Sequence, residues 1–206
     1  MKDPGIVIID YGVGNTYSVA NAIQHLGYKN LRISDEEKVI READALILPG
    51  VGAFEACMSN LQDRNIVEIL NEEVLSKKKP ILGICVGMQL LATASEEMGI
   101  HEGLNWIEGR VKKLELPSEL AVPHVGWNDV MNNEEKLFGL NQQNANFYFD
   151  HSFYFDCEEK YVAAYCDYGI KVTAAVKKEN IFGVQFHPEK SQTNGLKLFR
   201  SFFNSI

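Results

Sequence analysis

The sequence lacks any apolar run of about 18 residues, the length a membrane-crossing helix requires, so no such helix is expected. Its opening, Met-Lys-Asp-Pro-Gly, leads straight into an apolar strand pattern without an h-region, so no signal peptide is expected. Cysteine is scarce. Cys57, Cys85, Cys157 and Cys166 form no C-x-x-C pair, which argues against a zinc ribbon or a disulfide framework and favours a reduced, cytoplasmic setting. Basic residues are outnumbered, 20 Lys+Arg against 28 Asp+Glu, for a formal charge of −8. Phosphate backbones need clustered Lys and Arg, so nucleic acid is disfavoured as a partner. The basic run Lys77–Lys79 closes a predicted helix, where cations suit the helix dipole. The Asp10–Asn15 turn lacks both the third glycine of G-x-G-x-x-G and the Gly-Lys-Ser/Thr of a P-loop, so no nucleotide cofactor is expected. No metal site is expected either. Repeats, low-complexity tracts and linkers are also missing. What remains, 206 residues of which 46% are hydrophobic, suits a single domain over 1–206 with one well-buried core.

Strand and helix patterns alternate through roughly the first hundred residues. Ile6–Ile9 reads as a buried strand. Val19, Ala22, Ile23 and Leu26 then fall at i, i+3, i+4 and i+7 of a helix closed by Gly27. Leu31–Ile33 is a short strand, and Ser34 with Glu37 forms a capping box for a short helix. Ala45–Leu48 is a third strand, running into Pro49-Gly50-Val51-Gly52. A long helical pattern from Ala53 to Lys79, broken near Asp63-Arg64-Asn65, precedes an apolar strand that ends at Cys85. This rhythm predicts an α/β fold, a doubly wound and mostly parallel sheet flanked by helices. After Gly103 the rhythm changes. Trp106–Leu116 is predicted as strand and Pro117–Asn146 as irregular. Phe147–Phe155, Tyr161–Tyr165, Val172–Val176 and Ile181–Phe186 are predicted as strands forming an antiparallel extension of the same sheet. Leu196, Phe199, Phe202 and Phe203 give a last helix its buried face.

Pro80-Ile-Leu-Gly-Ile-Cys85-Val-Gly-Met-Gln89 joins a strand-type run to a helix-type run at a cysteine flanked by Gly83 and Gly87. G-x-C-x-G is the cysteine counterpart of the G-x-S-x-G nucleophile elbow, in which a tight turn lifts the nucleophile above the sheet edge. Backbone N–H groups at the following helix start favour a thiolate and can hold an oxyanion. The same stretch also suits a buried cysteine in a β–α turn, since free cysteine is often buried. A cysteine nucleophile needs a base, a group to orient the base and an oxyanion site. Among the five histidines, His25 falls on a helix and His101 in a polar loop, both expected at the surface. His187 directly follows a predicted strand, in His187-Pro188-Glu189, where Glu189 can reach the imidazole. Alone this triplet is an ordinary turn; beside the elbow it suggests a Cys85-His187-Glu189 triad. The Pro49–Gly52 loop could turn backbone N–H groups toward a carbonyl oxygen, although by itself it is a plain β–α turn.

Leu82-Gly-Ile-Cys-Val-Gly-Met-Gln89, the Pro-Gly-Val-Gly loop and Phe186-His-Pro-Glu-Lys-Ser191 together resemble a class I (triad) glutamine amidotransferase, and the resemblance runs essentially end to end. Ile9–Asn15, Pro123-His-Val-Gly-Trp-Asn128, His151-Ser152 and His187–Ser191 are most similar to glutaminase subunits of imidazole glycerol phosphate synthase, in histidine biosynthesis. The resemblance implies that Cys85 attacks the side-chain amide of glutamine to form a γ-glutamyl thioester. His187 would then act as acid and base, oriented by Glu189. It further implies an oxyanion hole from the N–H groups of Val86 and of Val51 or Gly52 beside Gly50. Gln89, His151 and Ser152 would contact the amino-acid end of glutamine, although Ser152 also reads as a solvent-facing strand hydroxyl.

The implied partner is a (β/α)8-barrel cyclase, forming a heterodimer that receives the ammonia, with Asn15, Trp127, Asn128 and Lys190 facing it. An exposed Trp beside glycine in a polar loop suits an interface anchor, and a core Trp suits the composition equally. Asp150 departs from the family, which usually places a small apolar residue before His-Ser. That departure leaves room for an alternative, a paralogue supplying ammonia for amidination of a bacterial surface sugar. A cysteine peptidase on the same elbow is a further alternative, disfavoured by Gln89 and the Pro-Gly-Val-Gly loop. A non-catalytic interaction subunit is disfavoured by the intact triad.

Overall fold

The computed structural model describes residues 3–132 and 145–205. In chain order the strands and helices are β1 (Ile6–Ile9), α1 (Thr16–His25), β2 (Leu31–Ser34), α2 (Glu37–Glu42), β3 (Ala45–Gly50), α3 (Phe54–Asp63), α4 (Ile66–Leu70), β4 (Ile81–Cys85) and α5 (Val86–Gln89). There follow β5 (Ala94–Ser95), β6 (His101–Glu102), β7 (Gly109–Lys113), β8 (His124–Asn132), β9 (Ala145–His151), β10 (Phe153–Cys157), β11 (Val162–Asp167), β12 (Lys171–Lys178), β13 (Ile181–Val184) and α6 (Gln192–Asn204). The described residues build a nine-stranded sheet in the order β2-β1-β3-β4-β13-β12-β11-β8-β9 and a four-stranded sheet in the order β10-β7-β5-β6.

The first five strands of the large sheet run parallel. β1, β3, β4 and β13 are buried along their whole length, which is why they read as continuous apolar runs rather than alternating ones. β12, β11, β8 and β9 continue the sheet antiparallel, as the extension predicts. Two registers position the chemistry. Gly50 pairs with Cys85 across β3 and β4, and Val184 pairs with Ile84 across β13 and β4. The chain leaving β13 therefore passes level with Cys85, although the two are 100 residues apart in sequence at Gln185.

Several expectations are corrected. The Ser34–Glu37 capping box does not form; Ser34 Oγ accepts the N–H of Glu36 at 3.0 Å, a local turn in its place. The strand expected over Trp106–Leu116 shrinks to β7, because Trp106 buries its ring and donates Nε1–H to Asn71 Oδ1 at 2.7 Å. Phe147–Phe155 is not one strand. It breaks at Ser152 into β9 and β10, which lie in different sheets. The stretch expected to be irregular contains the nine-residue β8, which carries both Trp127 and Asn128; the part over 133–144 lies outside the described residues. The predicted break near Asp63–Asn65 is present, with Asn65 left-handed at φ 56°, and the helix beyond α4 widens into a π-helical segment, Asn71–Ser76. Among the described residues no helix is long and apolar enough to cross a membrane.

Candidate active site

Cys85 ends β4 with φ 55° and ψ −114°, a strained conformation for a residue with a Cβ, and α5 begins at the next residue. The turn is held by glycines packed against one another. A Cβ on Gly50 would lie 2.6 Å from the Gly87 nitrogen, and one on Gly83 would lie 2.6 Å from the Gly87 oxygen. Only hydrogen fits at these contacts, so the G-x-C-x-G spacing is a packing requirement of the elbow.

His187 lies three residues beyond β13 and lines one cavity with Cys85, with its Nδ1 2.8 Å from Glu189 Oε1. The glutamate reaches it through a 3-10 turn over Pro188–Lys190 rather than the extended segment expected. Both side chains are buried, at 4% and 1% exposure. Burial opposes charge on the imidazole, yet the hydrogen bonds and charges of Cys85 and Glu189 outweigh it and lift His187 to about 10. The imidazole is thus poised as imidazolium beside the Cys85 sulfur.

A cavity of about 310 Å³ opens over the sulfur. It brings together Cys85, His187, Val51, Gly52, Val86, Gln89, His151 and Ser152, all expected at the site, and Lys190, which was expected at the partner face. Gly50 lies just beneath, packed on the elbow. Beneath the loop, the Tyr11 hydroxyl donates to the Pro49 carbonyl at 2.6 Å and the Cys57 thiol to the Val51 carbonyl at 3.6 Å. Cys57 therefore has a partner in the loop that the sequence did not suggest.

The family description "Glutamine amidotransferase class-I" matches residues 7–206. The chain belongs to that family. It is 50% identical over 202 residues to the imidazole glycerol phosphate synthase subunit HisH 2 of Vibrio vulnificus (strain YJ016), covering 98% of this chain and 94% of that protein. It is 46% identical over 202 residues to the imidazole glycerol phosphate synthase subunit HisH of Leptospira interrogans, covering 96% and 98%. A crystal structure of a glutamine amidotransferase superposes with a TM-score of 0.76 at 20% identity, covering 97% of this chain and 98% of that one, which is a likeness of fold.

One group in this amidotransferase's pocket, Glu97, escaped the sequence reading. Glu97 and Pro123 line the cavity, and Glu97 also accepts the N–H of Phe54 at 2.7 Å at the start of α3. Asp150 is exposed on β9 at the cavity rim, and its carbonyl lies 4.0 Å from Cys85 Sγ. Gln89 Nε2 donates to the Phe153 carbonyl at 3.0 Å and to Gln185 Oε1 at 2.9 Å. Both its N–H groups are used within the protein, so its remaining polar atom, Oε1, is an acceptor suited to an ammonium group.

The Phe153 carbonyl also accepts His151 Nδ1–H at 2.8 Å. That fixes the tautomer: His151 Nε2 is an acceptor, and His124 Nδ1, 3.0 Å away, must carry the proton it donates. His124 is stacked between Phe149 and Tyr168, with ring centroids 4.6 and 3.9 Å away. Burial pushes His124 down to about 4 and His151 to about 3, so both are neutral near neutrality.

The four residues expected at a partner surface do not form one cluster of like exposure. Asn15 sits before α1, half-buried. Trp127 is 46% exposed and meets Tyr148 edge-on, with centroids 6.1 Å apart. Lys190 is exposed, with Nζ 5.4 Å above the Tyr148 ring. Asn128 instead turns inward, donating to the Asp167 carbonyl at 2.8 Å and lying 3.4 Å from His124 Nε2. Of the two histidines expected at the surface, His25 is exposed, while His101 is only partly so, with Nδ1 3.7 Å from Glu55.

Proposed function

We propose that this amidotransferase is the glutaminase subunit of an imidazole glycerol phosphate synthase, one glutaminase domain over 1–206 acting in the cytoplasm in histidine biosynthesis. The observation that carries this reading is the Cys85-His187-Glu189 arrangement beneath an open cavity, in a chain 50% identical end to end to a protein of that name. The relatives' names favour it over supply of ammonia to a surface sugar.

The thiolate of Cys85 attacks the side-chain carbonyl carbon of glutamine. The carbonyl oxygen becomes an oxyanion beside the N–H groups of Val86 and of Val51 or Gly52, next to Gly50. Such donors contribute about 3–4 kcal/mol of transition-state stabilisation. His187 gives its proton to the departing nitrogen, so ammonia leaves and a γ-glutamyl thioester remains. His187, now neutral, takes a proton from water, which attacks the thioester; glutamate leaves and the thiolate and imidazolium return. Gln89 Oε1, His151 and Ser152 lie where the amino-acid end of glutamine would sit.

Ammonia released into water is protonated and lost to chemistry, so a partner must receive it directly. The partner is a (β/α)8-barrel cyclase in a heterodimer, with Trp127 and Lys190, which meet the same Tyr148 ring, on the face offered to it and Asn128 supporting that face from within. The test is glutamate release from glutamine, with and without that cyclase and its ribonucleotide ligand. Weak release alone and strong release with the liganded cyclase is the expected result. Peptide hydrolysis without glutamate release would overturn the proposal. Cys85→Ala should abolish glutamate release, while the complex supplied with ammonium salt should still form product.

A further inference from the structure

Gln185 follows β13 by one residue, is fully buried and has no place in the triad mechanism. Its Nε2 lies 3.8 Å from Cys85 Sγ, a length suited to a sulfur acceptor. We infer that the Gln185 carboxamide is a further catalytic group, an N–H donor that holds the Cys85 sulfur as thiolate, its orientation dictated by the backbone carbonyl of Phe153. The inference rests on the glutaminase reading above for its role in turnover and on geometry alone for its chemistry.

A carbonyl oxygen only accepts, so the Gln89 atom 3.0 Å from the Phe153 oxygen is the amide nitrogen. That same nitrogen lies 2.9 Å from the Gln185 carboxamide, so the atom it meets there is Oε1. The other end of Gln185, facing the sulfur, is therefore Nε2. Rotating either amide by half a turn would set N–H against N–H or oxygen against oxygen in a buried place. Gln89 and Cys85 are each 4% exposed, so water does not replace these partners readily. One backbone carbonyl thus sets a donor against the nucleophile.

The sulfur has two states in this environment. As a thiol, its S–H can point to the Asp150 carbonyl at 4.0 Å and offers Gln185 only a weak acceptor. As a thiolate it accepts from Gln185 and from the protonated His187 together. The donor therefore favours the charged form, both before attack and when the thioester breaks and sulfur leaves. The other titratable groups near the sulfur are His187 after β13, Tyr11 after β1, Cys57 on α3, His151 on β9, and Glu97, Asp150 and Lys190 around the cavity. All are retained in the variants below.

The experiment is the pH dependence of Cys85 alkylation by iodoacetamide, in the isolated chain without glutamine or partner. Gln185→Met removes the donor without adding charge, and its inflection should move up by about one pH unit, tenfold less thiolate at a fixed pH below it. Gln185→Glu keeps the acceptor for Gln89 but presents oxygen to the sulfur, and should move it further. With the liganded cyclase, Gln185→Glu should lower kcat about 10–100-fold with KM within about threefold. A folded Gln185→Met with an unmoved inflection overturns the inference. A second measurement uses the unaltered chain. The Gln185 side-chain NH2 resonances should shift at the same inflection as alkylation and lose that shift in Cys85→Ala; resonances indifferent to pH there also overturn it. Neither alkylation nor the resonances require glutaminase activity, so failure of the functional proposal would leave them standing.

Discussion

Gly87 lies against the carbonyl oxygen of Leu48 so closely that a Cβ on Gly87 would collide with it. The contact is backbone on both sides, between α5 and β3, and neither can retreat. β3 is tied into the sheet by its pairing with β4, and α5 leaves the strained Cys85 at once. Gly87→Ala is therefore expected to cost more than about 3 kcal/mol, through overpacking with no flexible side chain to yield. Urea unfolding would measure it. A variant within about 0.5 kcal/mol of the parent would mean that the elbow relaxes and that its glycine spacing is not a packing requirement.

The parallel half of the sheet and the elbow at Cys85 were legible in the sequence for a common physical reason. β1, β3 and β4 are covered on both faces and appear as unbroken apolar runs, and the elbow joins residues close in the chain. The antiparallel half was less legible. β8 exposes alternate residues and carries His, Gly, Trp and Asn, so no apolar period marks it. Phe147–Phe155 keeps one aromatic pattern through Ser152 while the chain passes from one sheet to the other, and pattern alone does not record that passage. Gln185 and His124 were missed because their roles depend on register. Gln185 matters only because β13 aligns with β4, and His124 only because β8 pairs it opposite His151.

The buried His124–His151 pair makes stability depend on acid. Burial holds them neutral down to about 4 and about 3, whereas the unfolded chain binds protons at both from about pH 6.5 downward. The unfolded state then carries more protons, so stability falls as pH drops below about 6.5, at up to about 1.4 kcal/mol per pH unit for each proton. His187 has the opposite sign. Raised to about 10, it contributes stability that is complete below about pH 6.5 and lost as pH rises toward 10. His124→Asn keeps a donor for His151 and removes one titrating ring. Its Tm should be lower at pH 7, where the stacking on Phe149 and Tyr168 is lost, but should fall less between pH 7 and 5 than the parent's. Parallel Tm curves would contradict the assignment.

Glu73 is expected to matter for stability and not for turnover. Its carboxylate is 1% exposed and meets Lys77 at 2.7 Å, Lys79 at 2.7 Å and Arg41 at 3.0 Å. Burial works against the charge, but the hydrogen bonds from Lys77 and Lys79 prevail and hold the group below the usual carboxylate range. Glu73→Ala leaves Lys79, 9% exposed, without its counter-charge, and should cost about 3 kcal/mol by urea unfolding. The cluster lies at the end of β4 opposite Cys85, so kcat of the folded variant should stay within twofold. A large fall in kcat would show coupling along β4 that the contacts do not contain.

Trp127 offers a different separation, between fold and partner. Its ring stands 46% exposed on β8 and touches Tyr148 only edge-on. Trp127→Ala should change the Tm by less than about 3 °C, the scale of an exposed substitution. If the ring is an anchor for the cyclase, the variant's Kd should rise at least about tenfold, the loss expected for a buried aromatic contact. Unchanged affinity by calorimetry would remove Trp127 from the interface.

Glu189 is the residue on which the charge state of the triad turns. Its Oε1 lies 2.8 Å from His187 Nδ1, and with the side chain 1% exposed no bulk water screens the pair. Glu189→Gln keeps the shape and a hydrogen-bonding oxygen but removes the negative charge that helps lift His187 to about 10. The imidazolium then loses its counter-charge, and His187 holds its proton beside the sulfur less readily. An amide that presents N–H to Nδ1 would also select the wrong tautomer. Loss of the orienting acid in a comparable triad lowers kcat about 10⁴-fold, and a fall of 10²–10⁴-fold in glutamate release is expected with the liganded cyclase present. Cys85 alkylation at pH 7 should slow in the same variant, which distinguishes loss of thiolate from loss of substrate positioning. A variant with unimpaired alkylation but slow turnover would place Glu189 in proton transfer alone, and one with full turnover would remove it from the triad.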